Sequence, residues 1–126
     1  MMGRRSPRGA RFLKVSQLSA GARGVNIVVK VLEVSEARTV YSRRDGREHR
    51  VADVLVGDET GVVLLSLWDD NIDKVQEGDV IEISNGYVST FRNELRLNVG
   101  LYGSLRKSER EIPNINYSNN VSRRSR

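Results

Sequence analysis

The stretch DVLVGDETGVVLLSLWDD occupies residues 53–70 and predicts two β-strands joined by a tight turn. The turn, GDETG, has a glycine at each end, where a positive φ is available without strain. In the second strand, aliphatic residues at 63, 65 and 67 alternate with a set that ends in Trp68, the single tryptophan of the chain. A half-buried strand carries polar residues on its solvent side. Trp68 therefore indicates either a second core or an aromatic platform on the surface.

The rest of the chain predicts three further strands and a short helix. A long strand at 25–40 is rich in β-branched residues, and its alternation blurs near 32–35, which indicates a bulge or bend. A hairpin loop with Asp45-Gly46 follows at 41–50. After the central pair come a short helix at 70–76, a strand at 80–84 that Asn85-Gly86 breaks, and a last strand from Leu95. This order predicts an all-β fold, the five-stranded Greek-key OB-fold barrel with a short helix between strands 3 and 4; an SH3-like barrel is the structural competitor.

Charge divides the chain into three parts. Residues 1–14 contain five basic residues and no acid, residues 15–103 contain ten basic and fourteen acidic residues, and residues 104–126 contain six basic and two acidic residues. We therefore predict a basic N-terminal arm at 1–14, an OB-fold domain at 15–103 and a basic C-terminal tail at 104–126, with flexible termini. The apolar residues in 12–18 predict one helical turn that plugs an edge of the core. Residues 105–112 predict a turn or two of helix. Residues 114–126 are expected to be extended or disordered.

Composition argues against an enzyme. The chain has no cysteine and one histidine, His49, which excludes disulfides and thiolate metal sites and argues against a histidine metal cluster or a Ser-His triad. The adjacent pair Asp69-Asp70 points in two directions on a strand end, and GDETG lacks the lysine of a phosphate-binding loop. Asp58 and Glu59 are expected to bond amides of their own turn. We expect no catalytic residue, cofactor, metal or small-molecule substrate.

No apolar run approaches membrane-spanning length, so we expect no membrane partner and an intracellular, cytoplasmic and nucleoid-associated protein. Basic ends on a mildly acidic body favour a polyanionic partner.

The candidate binding residues are aromatic and basic. Trp68, Tyr87 and Phe91 are predicted near one barrel face, where flat rings can stack on unpaired bases. For Tyr87 and Phe91 the alternative is that they close the end of the barrel. The remaining candidates for nucleic-acid contact are polar residues of the same face and the arginines around it: Ser66, Arg96, Asn98, Arg43, Arg44, Arg47, Arg50 and Arg92.

The blocks GDETG, LSLWDD, EGDVI, GYVSTF and LRLNVG closely resemble the small single-OB-fold single-stranded-DNA-binding proteins of archaea. They also resemble the eukaryotic relatives of those proteins in the SOSS DNA-damage complex, which are akin to the DNA-binding domains of replication protein A. The resemblance extends from about Val15 to Gly103 and implies that Trp68, Tyr87 and Phe91 stack on bases. The chain departs from some archaeal members in having Leu64 and Asp69-Asp70 where they carry basic residues, and in its short C-terminal tail.

We therefore expect sequence-tolerant binding of single-stranded DNA in replication or repair. The alternative is a structural RNA-binding protein, such as a ribosome-associated subunit whose basic tails thread into folded RNA. A ribosome or a repair complex is a candidate partner for the tails. A third hypothesis is a protein-interaction OB domain with no nucleic-acid role.

Overall fold

The computed structural model describes residues 11–123, and within them no helix is long and apolar enough to cross a membrane. The strands are β1 (Phe12–Leu13), β2 (Arg23–Val34), β3 (Arg38–Tyr41), β4 (Glu48–Asp58), β5 (Gly61–Trp68), β6 (Val80–Phe91), β7 (Glu94–Asn98) and β8 (Ser104–Lys107). Short 3₁₀ helices form at Val15–Gln17, Asp69–Lys74 and Val121–Arg123. Most of the predicted N-terminal arm, residues 1–10, lies outside the described residues, as do residues 124–126 of the predicted tail.

Five strands close a barrel. Strands β2, β4, β5, β7 and β6 are hydrogen-bonded in that order, and β6 pairs again with β2. β5 and β7 run parallel, whereas the other pairs of the barrel are antiparallel. The 3₁₀ helix Asp69–Lys74 lies between the third and fourth barrel strands in chain order. The predicted all-β OB-fold is therefore confirmed.

The core is built from the inward half of each strand. Alternate residues of β2 and β5 are fully buried, as the period of two requires. The largest buried side chains include Ile27, Leu65, Leu67, Ile81, Ile83 and Leu97. Val15 and Leu18 plug one edge of this core, as predicted, from a 3₁₀ turn.

The first strand of the barrel, β2, ends near residues 32–35, where the alternation of apolar and polar residues is lost. The register between β2 and β4 shifts between Val31 and Glu33, which confirms the predicted bulge. After the break at residues 35–37, β3 pairs with β4 alone and forms a hairpin whose turn contains Gly46 at φ +69°. The hairpin therefore extends beyond the closed barrel.

The predicted break at Asn85-Gly86 is wrong, because β6 is continuous through it. Asn85 adopts φ +57°, and the register with β2 shifts nearby, so the strand bends instead of ending. Its first half pairs with β2 and β8, and its second half, from Tyr87, pairs with β7. The bend thus lets one strand belong to two walls of the barrel.

The prediction of a flexible C-terminal tail is wrong for residues 104–107 and 119–123, which are bonded to the barrel. In place of a helical turn, Ser104–Lys107 forms β8 on the edge of β6. Farther along, Val121 is fully buried in the core, and Ser122 Oγ accepts a hydrogen bond from Leu64 N (2.8 Å) and donates one to Leu95 O (2.5 Å). The segment 119–123 therefore packs against the first residues of β5 and β7, next to the point where these two strands begin to pair at Leu64 and Arg96. The sequence predicts an extended or disordered segment here, because a single valine, Val121, gives no periodic pattern that would reveal its burial.

Close packing, and not turn geometry, explains the two glycines of the GDETG turn, Gly57 and Gly61. Neither has a positive φ, so the reason predicted for them is wrong. A Cβ on Gly61 would lie 2.7 Å from the carbonyl oxygen of Asn119, which is closer than real Cβ contacts come. Asp58 is fully buried and accepts hydrogen bonds from Thr60 N (2.8 Å) and Val15 N (3.0 Å), which confirms its predicted role within the turn.

Candidate nucleic-acid interface

Strand register places the three predicted aromatic residues on one outer face. On β5 the residues that alternate with the buried set are Leu64, Ser66 and Trp68. Ser66 pairs with Asn98 of β7, and Asn98 pairs with Tyr87 of β6. Residues that pair directly share a face. Trp68 and Tyr87 therefore lie on the same side of the sheet.

Phe91 belongs to this face as well, because it lies four residues from Tyr87 on β6. Trp68, Tyr87 and Phe91 are 45%, 42% and 51% exposed, which is high for large aromatic side chains. The rings are spread across the face: four residues of strand separate Tyr87 from Phe91 by about 13 Å. Each ring can therefore contact a different planar group.

Phe91 is covered in part by two guanidinium groups. The Cζ atoms of Arg92 and Arg96 lie 5.1 and 5.4 Å from the centroid of the Phe91 ring. Arg92 has φ +53° at the β6–β7 turn and is exposed. Both arginines lie within cation–π range of the ring.

Arg96 is held by carboxylates. Its Nη1 donates to Asp53 Oδ1 at 2.7 Å, and its Nη2 lies 3.6 Å from Glu94 Oε1. Only 13% of its side chain is exposed, and its Nε is buried without a hydrogen-bond partner among the described residues. The geometry makes Arg96 a support for Phe91 more than a free cation on the surface.

Asn98 and Ser66 lie between the rings. Asn98 is buried, and its Nδ2 donates to Ser89 Oγ (3.0 Å) and to Arg96 O (3.1 Å). Ser66 is half-buried in the row that joins Asp53, Ser66, Asn98 and Tyr87. These two predicted contact residues lie on the expected face, where Asn98 mainly fixes its neighbours.

Trp68 is positioned by the only histidine. The rings of His49 and Trp68 meet edge to face, with centroids 6.2 Å apart and planes at 73°. His49 Nδ1 lies 2.7 Å from Asp69 Oδ2, and Nε2 lies 2.9 Å from Asp45 Oδ2. Hydrogen bonds to Asp69 first, and then to Asp45, raise the pKa of His49 above its ordinary value.

The arginines around Trp68 fall into two groups. Arg50 Nη2 donates to Asp73 Oδ2 (3.0 Å) and to Asp69 O (3.1 Å), so it is engaged within the protein. Arg43, Arg44 and Arg47 are exposed in the β3–β4 turn, and the ion pairs among residues 11–123 do not include them. These three carry the free positive charge near Trp68.

Sequence reasoning missed the carboxylates of this face. Asp45, Asp53 and Asp69 each hold a basic side chain of the interface, but they are far apart along the chain. The sequence offers one sign of this network, a single histidine, His49, among acidic residues. The alternation of apolar and polar residues does not reveal that Asp45 and Asp69 bond to it. Across residues 11–123 there is no cluster of three or more His, Cys, Asp and Glu side chains suited to a metal ion.

Comparison with known proteins identifies a family whose sequence model matches most of this chain. The family model described as "Single-stranded DNA binding protein Ssb-like, OB fold" matches residues 18–107. A protein of Saccharolobus solfataricus named single-stranded DNA binding protein Ssb is 38% identical over 87 residues, which cover 69% of this chain and 57% of that protein. This chain thus aligns with little more than half the length of that relative.

Two solved structures share the fold. The solution structure of hypothetical protein F20O9.120 from Arabidopsis thaliana has a TM-score of 0.75 and 28% identity, and the match covers 95% of this chain and 88% of that chain. The replication factor A related protein from Methanobacterium thermoautotrophicum has a TM-score of 0.66 and 27% identity, and the match covers 82% of this chain and 96% of that chain. Because the family model spans well over half of the sequence, the chain belongs to the Ssb-like family of OB-fold single-stranded-DNA-binding proteins.

Proposed function

We propose that the protein binds single-stranded DNA on the outer face of β4, β5, β7 and the second half of β6, with little dependence on base sequence. The observation that carries the proposal is the shared exposure of Trp68, Tyr87 and Phe91 on that face. Every base has a π-face, so stacking on such rings tolerates any sequence. The function is binding, in keeping with the family, and requires no catalytic group.

The residues take three roles in this proposal. Trp68, Tyr87 and Phe91 stack on bases, each worth about 1–3 kcal/mol. Arg43, Arg44, Arg47 and Arg92 are exposed and neutralise phosphates. The remaining predicted residues hold the face in shape through their internal contacts: Arg50, Arg96, Asn98 and Ser66.

Alanine substitution tests the stacking role. We expect Trp68→Ala, Tyr87→Ala and Phe91→Ala each to weaken the binding of labelled oligo(dT) by about 1–3 kcal/mol in an anisotropy titration, because one base no longer stacks on a ring. Tyr117→Ala is the matched control, since Tyr117 is 63% exposed and its neighbour Asn116 bonds to Asp58 O at the β4–β5 turn, at the opposite end of β5 from Trp68. Unchanged affinity in all three variants would refute the proposal.

The RNA-binding alternative loses its main support. It depends on two free basic tails, and in the C-terminal tail residues 104–107 pair with β6 while Val121 and Ser122 are buried in the barrel. The family match also favours DNA. Titration of Trp68 fluorescence with poly(dT) and poly(U) at two salt concentrations compares the two ligands directly.

The biological setting follows as part of the proposal. A protein that covers exposed strands serves DNA replication or repair, and it acts at the nucleoid in the cytoplasm. A repair complex or a ribosome remains a candidate partner for the basic ends of the chain.

A further inference from the structure

The His49 side chain joins two parts of the interface that are distant along the chain. Asp45 belongs to the β3–β4 turn that carries Arg43, Arg44 and Arg47, and Asp69 directly follows Trp68. The imidazole lies between these carboxylates, with nitrogen–oxygen distances of 2.9 and 2.7 Å. It is the only side chain of the described residues that contacts both.

Both carboxylates are fixed from their other side. Asp45 Oδ1 accepts a hydrogen bond from Arg47 N (3.0 Å), which holds it in the turn. Asp69 Oδ1 accepts one from Arg50 N (2.9 Å), and its backbone has φ +53°. The two free carboxylate oxygens therefore face the imidazole from opposite ends. One backbone amide thus orients each carboxylate toward the imidazole.

The protonation state of the imidazole decides whether both hydrogen bonds can exist. An ionised carboxylate only accepts hydrogen bonds, and a neutral imidazole has a single N–H to donate. Two such bonds under 3 Å therefore require the imidazolium. The pKa values of Asp45 and Asp69 are both lowered, chiefly by hydrogen bonds with His49 and with the Arg50 amide, respectively, so these groups stay ionised near neutral pH.

We propose that His49 is a positioning residue: its imidazolium fastens the arginine-bearing β3–β4 turn to the Trp68 end of the sheet, so that ring and guanidinium groups meet a DNA strand together. This inference rests on the proposed function. When the imidazole releases its proton, only one of the two hydrogen bonds can remain, and the side-chain link between the turn and the Trp68 end of the sheet is broken.

The charged groups around His49 set the direction of the pH effect. Asp45 approaches from the turn, Asp69 and Asp73 come from the 3₁₀ helix, and Arg50 of β4 bonds to both of the latter. Arg47 adds a cation beside Asp45. Since the carboxylates in direct contact favour the imidazolium, the fastened state is complete below the ordinary histidine pKa of about 6.5 and disappears as pH rises through the raised value.

The first test is a pH profile of DNA affinity. We expect the binding of labelled oligo(dT) by the wild-type chain to weaken about two- to fivefold between about pH 6 and about pH 9, in the range of an exposed charge pair. His49→Gln should bind with the weaker affinity at every pH, because its two N–H donors are on a single uncharged nitrogen and do not reproduce the two separate imidazolium donors that face Asp69 and Asp45. His49→Arg should keep the tighter affinity throughout, because guanidinium donates in several directions and does not titrate.

A second variant separates positioning from simple charge attraction. Asp45→Asn removes a negative charge near the DNA but keeps the oxygen that accepts from Arg47 N. Charge attraction alone predicts tighter binding in this variant, whereas loss of the fastening predicts weaker binding and a flatter pH profile. Tighter binding by Asp45→Asn, or an unchanged pH profile in His49→Gln, would overturn the inference.

Two spectroscopic readouts test the inference without DNA. The chain has one histidine and one tryptophan, so the His49 proton resonance and the Trp68 fluorescence are each unambiguous. Both should titrate with the same midpoint, above about pH 6.5. If the wild type binds oligo(dT) and Trp68→Ala weakens binding, but the wild-type profile is flat, the inference fails and the proposed function stands. If no oligonucleotide binds at any pH, the proposed function fails.

Discussion

The two ends of the aromatic face are built in different ways. At the Trp68 end, an ionised network of His49 and two carboxylates joins a hairpin turn to the ring. At the Phe91 end, two guanidinium groups lie near the ring, and the segment 119–123 packs against the first residues of β5 and β7. The first end depends on charge and therefore on pH and salt. The second depends on burial, so its integrity is tied to the stability of the whole barrel.

The largest expected effect tests the buried end. Val121 is fully buried in the core, so Val121→Ala should lower the free energy of unfolding by about 2–3 kcal/mol through reduced burial and a small cavity. Urea denaturation measures this decrease. Tyr117→Ala, an exposed change in the same segment, should stay within about 0.5 kcal/mol. Equal stabilities of the two variants would contradict the packing of this segment.

A smaller effect is expected where the two ends meet. Asp53 contacts Arg96 at 2.7 Å and Arg38 at 3.5 Å, and it is partly exposed. Asp53→Asn should destabilise the protein by about 1–2 kcal/mol, because Arg96 loses the full charge of its partner while solvent compensates in part. Thermal or urea unfolding measures the change. Glu36→Gln, an exposed carboxylate on the connection between β2 and β3, is the control. No difference from this control would show that the pair does not stabilise the face.

The smallest expected effect per residue is a change in the salt dependence of DNA affinity when arginines near Trp68 are replaced. Replacing Arg43, Arg44 and Arg47 by glutamine should lower the magnitude of the salt dependence of log Kd by about 0.7 for each phosphate that an arginine no longer neutralises. Anisotropy titrations at several salt concentrations give this slope. Arg106, Lys107 and Arg110 provide a control of equal charge change, since β8 and the residues after it lie on another wall of the barrel. Equal slopes in the two triple variants would assign the effect to net charge and not to the turn.

The strands and the aromatic face could be predicted because they depend on local rules. Alternation along β5 is enough to place Trp68 opposite the buried set, and the glycine-containing turns mark where strands end. The bend at Asn85 was mistaken for a break because a residue at φ +57° has the same sequence signature in a turn and in a bulge. Partners distant along the chain, such as Asp53 for Arg96, carry no such signature.

By itself, the amino-acid sequence determined the all-β class, the order of the barrel strands along the chain and the outward position of Trp68. These features follow from a period of two and from turn residues, which act over a few positions. Only the tertiary structure decided that the C-terminal segment packs against the first residues of β5 and β7, and that His49 joins the arginine turn to Trp68. Both arrangements bring together residues far apart in the chain, and their partners are selected by three-dimensional proximity.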